Sequence, residues 1–388
     1  MPQSNLSWSR SRKDIRMTIK RRIIALGTLV IAVLTFGYSA AVAQSPFRLL
    51  SIVPRISSVS HAKAPSGKDL NSYLLVYFKD ETHSIYFATS TDGYSFTDVN
   101  GGNPVLLGKD IAEQKGVRDP HIMRGPDNAF YLSMTDLNIF GQRDGVRTTE
   151  WERPANQYEW GNNRALILMK SYDLIHWTHA IVRVDKLFSS FSDIGCAWAP
   201  ETIFDPAKNK LMVYFTTRIK TGPNFMVYSY ANSAFTTLET EPQRLFTYPK
   251  ENINTIDGDI TKVADTYHLF YVAHDKPGNI RHAASKKVNE GYIYEPQKID
   301  PESVGTEAPN LWRRNGTDTY VLMYDVFGAN PHNMGFSETT DFIHYKNLGR
   351  FNEGDSPMKA INFSGPKHGA VMSITAKELQ TLHSYFNE

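Results

Sequence analysis

Cysteine is almost absent from this chain of 388 residues. Cys196 is the single one, which excludes an intrachain disulfide and a zinc site built from several thiolates. The fold must therefore be held by packing alone. We predict that Cys196 is a buried and unreactive thiol, because a lone cysteine without a basic neighbourhood is usually a small core residue.

Long hydrophobic runs are also scarce. An apolar run at residues 23–36 follows three basic residues at 20–22 and precedes small residues that end in Ala-Val-Ala at 41–43. This layout predicts a signal peptide at residues 1–43, with cleavage after Ala43; an uncleaved membrane anchor is the alternative. Residues 44–388 contain no further candidate transmembrane segment, so we expect one secreted or periplasmic catalytic domain that is free of the membrane after cleavage.

The mature part also lacks an excess of positive charge. Residues 1–43 contain seven Lys or Arg and one Asp, a net charge of +6, whereas the whole chain has +2. The remainder therefore carries about −4, and it contains no Lys/Arg run of the kind that binds phosphate backbones. A nucleic acid is therefore not an expected partner.

What the sequence has is repetition, which is typical of solenoids and propellers. Five units each contain an aromatic-rich strand and then a strand ending in a hydroxyl residue, with an aromatic six residues later. The pairs are Ser90 and Phe96, Ser171 and Trp177, Ser229 and Phe235, and Thr339 and Tyr345, with a blurred example at Ser285 and Tyr292. Four short strands per unit predict an all-β, five-bladed β-propeller. A two-sheet sandwich is the alternative, but it would not explain the repeat.

The two ends of the chain are expected to close this ring. Four units begin with their own inner strand, whereas the N-terminal unit, residues 73–99, has none ahead of it. We predict that residues 368–375 complete that blade and so remove an exposed edge. The alternative is that residues 51–60 supply its inner strand. A short helical tail is expected after Thr375.

Four units start near a carboxylate: Asp119 in RDPHI, Glu201 in WAPE, Asp257 in IDGDI and Glu307 in TEAPN. In a propeller the starts of the inner strands and the loops between second and third strands share one face, so the carboxylates should converge there. The longest such loop, residues 136–164, contains Trp151, Tyr158, Trp160, Asn163 and Arg164. Loops of this length are usually functional or disordered.

Together with the histidine of KHGAV, His368, this ordered set of motifs resembles glycoside hydrolase family 43. The resemblance covers most of the mature chain and implies a five-bladed propeller with three carboxylates around its axis. By position, it implies that Asp119 is a general base, that Asp257 orients the acid and tunes its pKa, and that Glu307 is the general acid. It also implies an arabinose- or xylose-containing glycan as substrate.

The chemistry of glycoside hydrolysis supports the same assignment, since one carboxyl group must be protonated and another ionised. A Glu titrates near ~4.3 in water, so Glu307 needs a neighbouring negative charge or an apolar wall to stay protonated. Asp257 can supply that charge. Asp259 lies two residues on, on the same side of a strand, and is the rival. Each carboxylate also has a plainer interpretation, such as an Asp-Pro turn for Asp119.

Several other residues are candidates for the site. Trp198 is predicted to be a sugar platform or pocket wall, Glu201 a supporting group and His121 structural. Predicted substrate-binding residues are Asn163, Arg164, Arg281 and His368, and Arg218 and His332 also fall near the face. His368 should point to the axis beneath the carboxylates. The resemblance allows a structural calcium near His368 in the channel, although no cofactor is required.

The leading functional hypothesis is an inverting glycosidase of the α-L-arabinofuranosidase or β-xylosidase type, acting on plant glycans. A related propeller that transfers fructosyl groups or phosphorolyses mannosides is one alternative. A retaining pair of carboxylates would stand about 5–5.5 Å apart and an inverting pair about 6.5–9.5 Å apart. A noncatalytic glycan-binding propeller is the other alternative, and it could lose a carboxylate, whereas all three are present here.

Overall fold

The computed structural model describes residues 47–56, 64–147, 152–275 and 278–387, and these form five sheets arranged as the blades of a propeller. The predicted all-β, five-bladed fold is confirmed. The predicted signal peptide and Trp151 lie outside the described residues. Within the described ranges, no helix has the length and apolar character needed to cross a membrane.

Each blade consists of four antiparallel strands, and blades 1 and 2 each carry a fifth, parallel strand at the outer edge. From the innermost strand outward, they are Lys367–Thr375, Leu70–Lys79, Ser84–Ser90, Ser95–Asp98 and Lys359–Ala360 in blade 1; Val117–Arg124, Phe130–Asp136, Ala165–Ser171, His176–Arg183 and Ser51–Ile52 in blade 2; Ile194–Asp205, Lys210–Ile219, Phe225–Tyr230 and Gln243–Arg244 in blade 3; Thr255–Val263, Thr266–Ala273, Asn279–Ser285 and Ile293–Glu295 in blade 4; and Glu307–Arg313, Tyr320–Val326, Asn333–Thr339 and Lys346–Arg350 in blade 5. The helices are Gly108–Ile111, Ala155–Tyr158, Val184–Leu187, a 3-10 turn at Ser189–Phe191, and Ala376–Asn387.

The hydrophobic core lies between the blades. Five buried clusters correspond to the five blade-to-blade interfaces. In the cluster between blades 1 and 5, Phe96 packs edge-on against Trp312 with ring centroids 6.3 Å apart. Because both faces of a middle strand meet a neighbouring blade, residues 73–78 are all buried and read as a continuous apolar run.

The C-terminal strand closes the ring, as predicted. Residues 367–375 pair antiparallel with the second strand of blade 1, from Leu70 opposite Thr375 to Phe78 opposite Lys367. The terminal helix then docks through the buried Leu382. The alternative inner strand is wrong for the described part of 51–60, because Ser51–Ile52 pairs with the outer strand of blade 2.

The repeated hydroxyl residue is the centre of a turn between the third and fourth strands. In blades 1, 2 and 5 its side-chain oxygen accepts the backbone N–H three residues later, at 2.9 Å in each case: Gly93 to Ser90, Leu174 to Ser171 and Phe342 to Thr339. Those three donors all have positive φ. The sequence repeat was therefore a repeated turn that starts the outer strand of a blade.

Candidate active site

A β-bulge interrupts the inner strand of all five blades near its start. At each one the pairing with the second strand shifts by a residue. The first residue of each bulge has positive φ: 52° at Asp119, 44° at Ala199, 52° at Asp257, 57° at Ala308 and 22° at His368. A bulge re-aims side chains, and five of them around one axis direct side chains into the centre of the same face.

The bulges correct the expectation that the four carboxylates occupy equivalent points. Asp119 and Asp257 are both the first residue of a bulge, whereas Glu307 is the residue before one and Glu201 is the residue after one. His368 also takes the first position, so it lies in the layer of Asp119 and Asp257 and not beneath them.

The three predicted catalytic carboxylates and His368 line one pocket, with a cavity volume of 80 Å³. The other lining residues are Arg118, Leu137, Trp160, Trp198 and Ile256. If a water-sized site needs about 10–15 Å³, the space suits roughly a single sugar ring, with the rest of a longer substrate outside.

Asp119 is held ionised. Its burial would raise the carboxyl pKa, but the His368 ring beside it, with Arg118 and the Thr135 hydroxyl, outweighs burial and lowers the pKa to about 2. His368 Nδ1 lies 3.3 Å from Asp119 Oδ1, and Thr135 donates to Oδ2 at 2.7 Å. A carboxylate in this state can accept a proton from water at any pH near neutral.

Glu307 has the opposite character. Burial, the charge of Asp325 and the charge of Asp257, in that order, raise its pKa to about 8. Glu307 pairs directly with Asp325 across the first two strands of blade 5. Its carboxyl group is therefore protonated near neutral pH and can act as a proton donor.

The pKa of Asp257 lies between those of Asp119 and Glu307. Burial raises its pKa to about 6, the His368 charge opposes that rise, and Asp119 adds to it. One oxygen accepts the backbone N–H of Ala308 at 3.3 Å, across the interface to blade 5. Asp257 thus contributes negative charge beside Glu307, but the contribution of Asp325 is larger.

Asp325 is a residue that the sequence reasoning missed. Its side chain is only 1% exposed; Oδ1 accepts a hydrogen bond from His332, and Oδ2 has no hydrogen-bond partner among the residues that the structure describes. The sequence YVLMYDV does not mark Asp325 as part of the site. Asp325 lies opposite Glu307 only because the bulge after Glu307 sets the register of the two strands. His332, which the sequence places near the face of the site, hydrogen-bonds this buried carboxylate.

Asp259 is the alternative candidate for tuning the pKa of Glu307, but it lies in a deeper layer than Asp257. Asn310 donates to Asp259 Oδ1 at 3.0 Å, and burial raises the pKa of Asp259 to about 7. Its neighbour is Glu201, whose pKa is raised well above the ordinary value by burial and by Asp259. Tyr214 donates to Glu201 at 2.7 Å. These contacts join blades 3, 4 and 5 beneath the pocket, which is a structural role.

The aromatic wall of the pocket comes from blade 3 and the long loop of blade 2. Trp198 Nε1 donates to the Gly161 carbonyl at 2.9 Å, and its ring lies edge-on to Trp160 with centroids 6.2 Å apart. Arg218 stacks on Trp198, 4.6 Å from the ring, and donates to the carbonyls of Tyr158 and Trp160. Arg218 therefore supports the wall from behind, and Trp160, 62% exposed, forms its rim.

Asn163 does not contact the pocket, which corrects its prediction as a substrate-binding residue. Its side chain is buried and fully used: Nδ2 donates to the carbonyls of Asp136, Ala165 and Ala197, and Oδ1 accepts the Ala197 N–H at 2.6 Å. It ties the long loop to the inner strand of blade 3. A buried asparagine of this kind cannot be distinguished from a ligand contact by sequence alone.

The two predicted arginines are also elsewhere. Arg281 lies on the third strand of blade 4, where its guanidinium pairs with Asp275 at 2.9 Å. Arg164 immediately precedes the third strand of blade 2, and its carbonyl accepts the Val184 N–H. Neither lines the pocket. The arginine that does line the pocket is Arg118, which donates a hydrogen bond to Asp80 at 2.6 Å.

A calcium ion ligated by His368 does not fit these contacts. Although burial lowers the imidazole pKa, Asp119 and the other carboxylates raise it to about 9. Nδ1 of the ring faces Asp119 Oδ1 at 3.3 Å, and calcium takes oxygen ligands, which an imidazole does not offer. Within the described ranges, His121, Glu201 and Asp259 bring their ligand atoms within 4.8 Å of one another. There the Thr202 N–H donates to His121 Nδ1 at 3.3 Å, and His121 Nε2 lies 3.8 Å from Glu201 Oε2.

The single cysteine is buried, as expected. Cys196 is fully enclosed in the inner strand of blade 3, and burial raises the pKa of its thiol to about 12. A thiol in this state is not a nucleophile at neutral pH.

Comparison with known proteins gives the family. The family model described as "Probable glycosyl hydrolase domain", related to glycoside hydrolase family 43, matches residues 68–380. An alpha-L-arabinofuranosidase of Bifidobacterium longum subsp. longum is 25% identical over 195 residues, which cover 46% of this chain and 17% of that enzyme. The chain thus spans only a small part of that relative's length.

Two solved structures are similar in outline. An alpha-L-arabinanase of Cellvibrio cellulosa, complexed with arabinohexaose, is 12% identical with a TM-score of 0.47 and covers 71% of this chain and 91% of that one. An alpha-L-arabinofuranosidase of Clostridium thermocellum is 13% identical with a TM-score of 0.48, over 69% and 83%. Because the family model spans about four fifths of the chain, the protein belongs to this family of probable glycosyl hydrolase domains related to glycoside hydrolase family 43.

Proposed function

We propose that the protein hydrolyses glycosidic bonds with inversion, using Asp119 as general base and Glu307 as general acid. The observation that carries this proposal is the opposite displacement of the two pKa values, to about 2 for Asp119 and about 8 for Glu307, in one pocket. Two carboxyl groups whose environments push their pKa values apart are the usual acid and base of a glycosidase.

The reaction follows from these protonation states. Glu307 donates its proton to the glycosidic oxygen as the bond from that oxygen to the anomeric carbon breaks. Asp119 accepts a proton from a water molecule while the water oxygen bonds to the opposite face of that carbon. The products are a sugar with inverted configuration and a free alcohol. His368 fixes the orientation of Asp119, and Asp257 and Asp325 keep the proton on Glu307.

An arabinose-containing plant glycan is the proposed substrate, and a xylose-containing one is the second choice. The similarity to the Bifidobacterium longum arabinofuranosidase and the shape of the pocket, sized for about one sugar ring, support this choice. We also propose that the protein acts outside the cytoplasm, on the basis of the signal peptide that the sequence predicts at residues 1–43.

The experiment that tests this proposal combines a substrate panel with NMR. Nitrophenyl pentosides and arabinan and xylan oligosaccharides would be incubated with the protein, and the first-formed anomer would be followed by ¹H NMR. Release of a pentose with inverted configuration is expected. A product of retained configuration would contradict the roles of Asp119 and Glu307, and binding without release would favour the noncatalytic alternative.

The acid's pKa should depend on Asp325 at least as much as on Asp257. Asp325→Asn removes a negative charge that disfavours ionisation of Glu307, so the pKa of Glu307 should fall from about 8. Glu307 must be protonated to act, so the alkaline limb of the pH dependence of kcat/KM should move to lower pH. Asp257→Asn should move the limb in the same direction.

Asp259→Asn is the matched control, because Asp259 is also a buried aspartate near the axis but acts on the deeper layer. It should leave the limb in place. Since coupled groups titrate as a set, the comparison among the three variants decides the assignment. A limb that moves only in Asp259→Asn would show that the deeper layer tunes the acid.

A further inference from the structure

A second cleft opens on the same face as the catalytic pocket, between blades 5 and 1. It has a cavity volume of 410 Å³, about five times that of the pocket. Its walls come from the loop between the second and third strands of blade 5 and from the segment that leads into the closing strand. Its lining includes Asp80, His332, Phe351, Phe363, Ser364 and Lys367.

The inner end of this cleft lies beside the proposed acid. His332 bonds Asp325, which pairs directly with Glu307 across the blade 5 ladder. Lys367 is the residue before His368, and its electrostatic partners include both Asp325 and Glu307. The cleft therefore begins on the side of Glu307 that faces away from the aromatic wall of Trp160 and Trp198.

A short ionic wall separates the cleft from the pocket. Asp80 forms ion pairs with Arg118 at 2.6 Å and with Lys367 at 3.0 Å. Arg118 lines the pocket, Lys367 lines the cleft and Asp80 joins them. A substrate chain that passes from the pocket over Glu307 would cross this wall and enter the cleft.

We propose that this cleft binds the leaving-group side of an oligosaccharide, while the pocket holds the sugar whose anomeric carbon reacts. This inference rests on the proposed function. In that reaction the acid protonates the leaving oxygen, so the leaving chain must extend from the Glu307 side of the pocket and away from Asp119.

The size and lining of the cleft fit such an occupant. At about 10–15 Å³ for each water-sized site, the cleft of 410 Å³ has room for roughly two or more sugar units, since the pocket of 80 Å³ suits about one. The wall offers hydrogen-bonding groups on His332, Lys367 and Ser364, with Phe351 and Phe363 among the lining residues. The side chains of His332 and Lys367 are 22% and 17% exposed. Mixed apolar and polar walls of this kind are typical of small-ligand sites.

The test is to fill the cleft and compare two leaving groups. Ser364 is exposed on the rim, so Ser364→Trp would block the cleft. One substrate would be an arabino-oligosaccharide, and the other a pentosyl fluoride, whose leaving group is a single atom. We expect the ratio of kcat/KM for the oligosaccharide to kcat/KM for the fluoride to fall at least about tenfold, mostly through KM.

Ser233→Trp is the matched control. Ser233 is also exposed but follows the third strand of blade 3, on the opposite face, so Ser233→Trp should leave the ratio unchanged. An unchanged ratio in Ser364→Trp, or an equal loss on both substrates, would overturn the inference. Wild-type protein that cleaves neither substrate would instead overturn the proposed function.

Discussion

Glu307→Gln is expected to lower kcat/KM for an oligosaccharide by about 10²–10⁴-fold, the usual contribution of a general acid. Glutamine keeps the size of the side chain but has no proton to donate to the leaving oxygen. The loss should be much smaller for a pentosyl fluoride, because fluoride departs without protonation. The measurement is the ratio of variant to wild-type kcat/KM for each leaving group.

Asp119→Asn should give the contrasting pattern. Activation of water is needed whatever the leaving group, so the loss should be similarly large for the oligosaccharide and the fluoride. Asp257→Asn is also expected to reduce turnover by orders of magnitude, because it removes charge beside the acid and a hydrogen bond to Ala308. If Asp119→Asn kept its activity on the pentosyl fluoride and Glu307→Gln lost it, the two roles would have to be exchanged.

Melting temperature and circular dichroism separate these effects from misfolding. The three carboxylates line an open pocket and contribute little to the apolar packing between blades. Their charge-neutral variants should therefore keep the wild-type spectrum. A variant that melts far below wild type but keeps its specific activity would show that its carboxylate is structural.

The blades were predictable because each repeats a local signal. The hydroxyl-centred turns at Ser90, Ser171 and Thr339 are fixed by residues within a few positions of one another, so they are visible in one dimension. The same holds for the acidic motifs. Their convergence followed from topology once five units were counted.

The pairing between side chains was less predictable, because it depends on the bulges. A bulge shifts which residues face each other, so the pairing of Glu307 with Asp325 could not be read from spacing. Asn163 and Arg281 were misjudged for a related reason. Each is consumed by partners in the folded chain. Asn163 donates to three carbonyls, two of which lie 27 and 34 residues away, and Arg281 pairs with Asp275 in the preceding loop.

Truncation of the chain after Gly365 is expected to yield no soluble, folded protein. It removes the inner strand of blade 1 and leaves the backbone donors and acceptors of Leu70–Lys79 without partners on that side. It also removes the buried side chains of Val371, Met372 and Ile374. Each is worth about 1.5–3 kcal/mol when buried, and their sum is comparable to the whole stability of a typical domain, about 5–15 kcal/mol.

Truncation after Thr375 is the matched control, since it keeps the closing strand and removes only the terminal helix. That helix contributes the buried Leu382 and the ion pair of Glu378 with Arg124 at 2.7 Å. This shorter truncation should lower the melting temperature yet leave a soluble propeller with a wild-type circular dichroism spectrum. Soluble protein ending at Gly365 that melts cooperatively near the wild-type temperature would show that the ring does not need its closing strand, since the apolar interfaces between blades would then suffice to hold it.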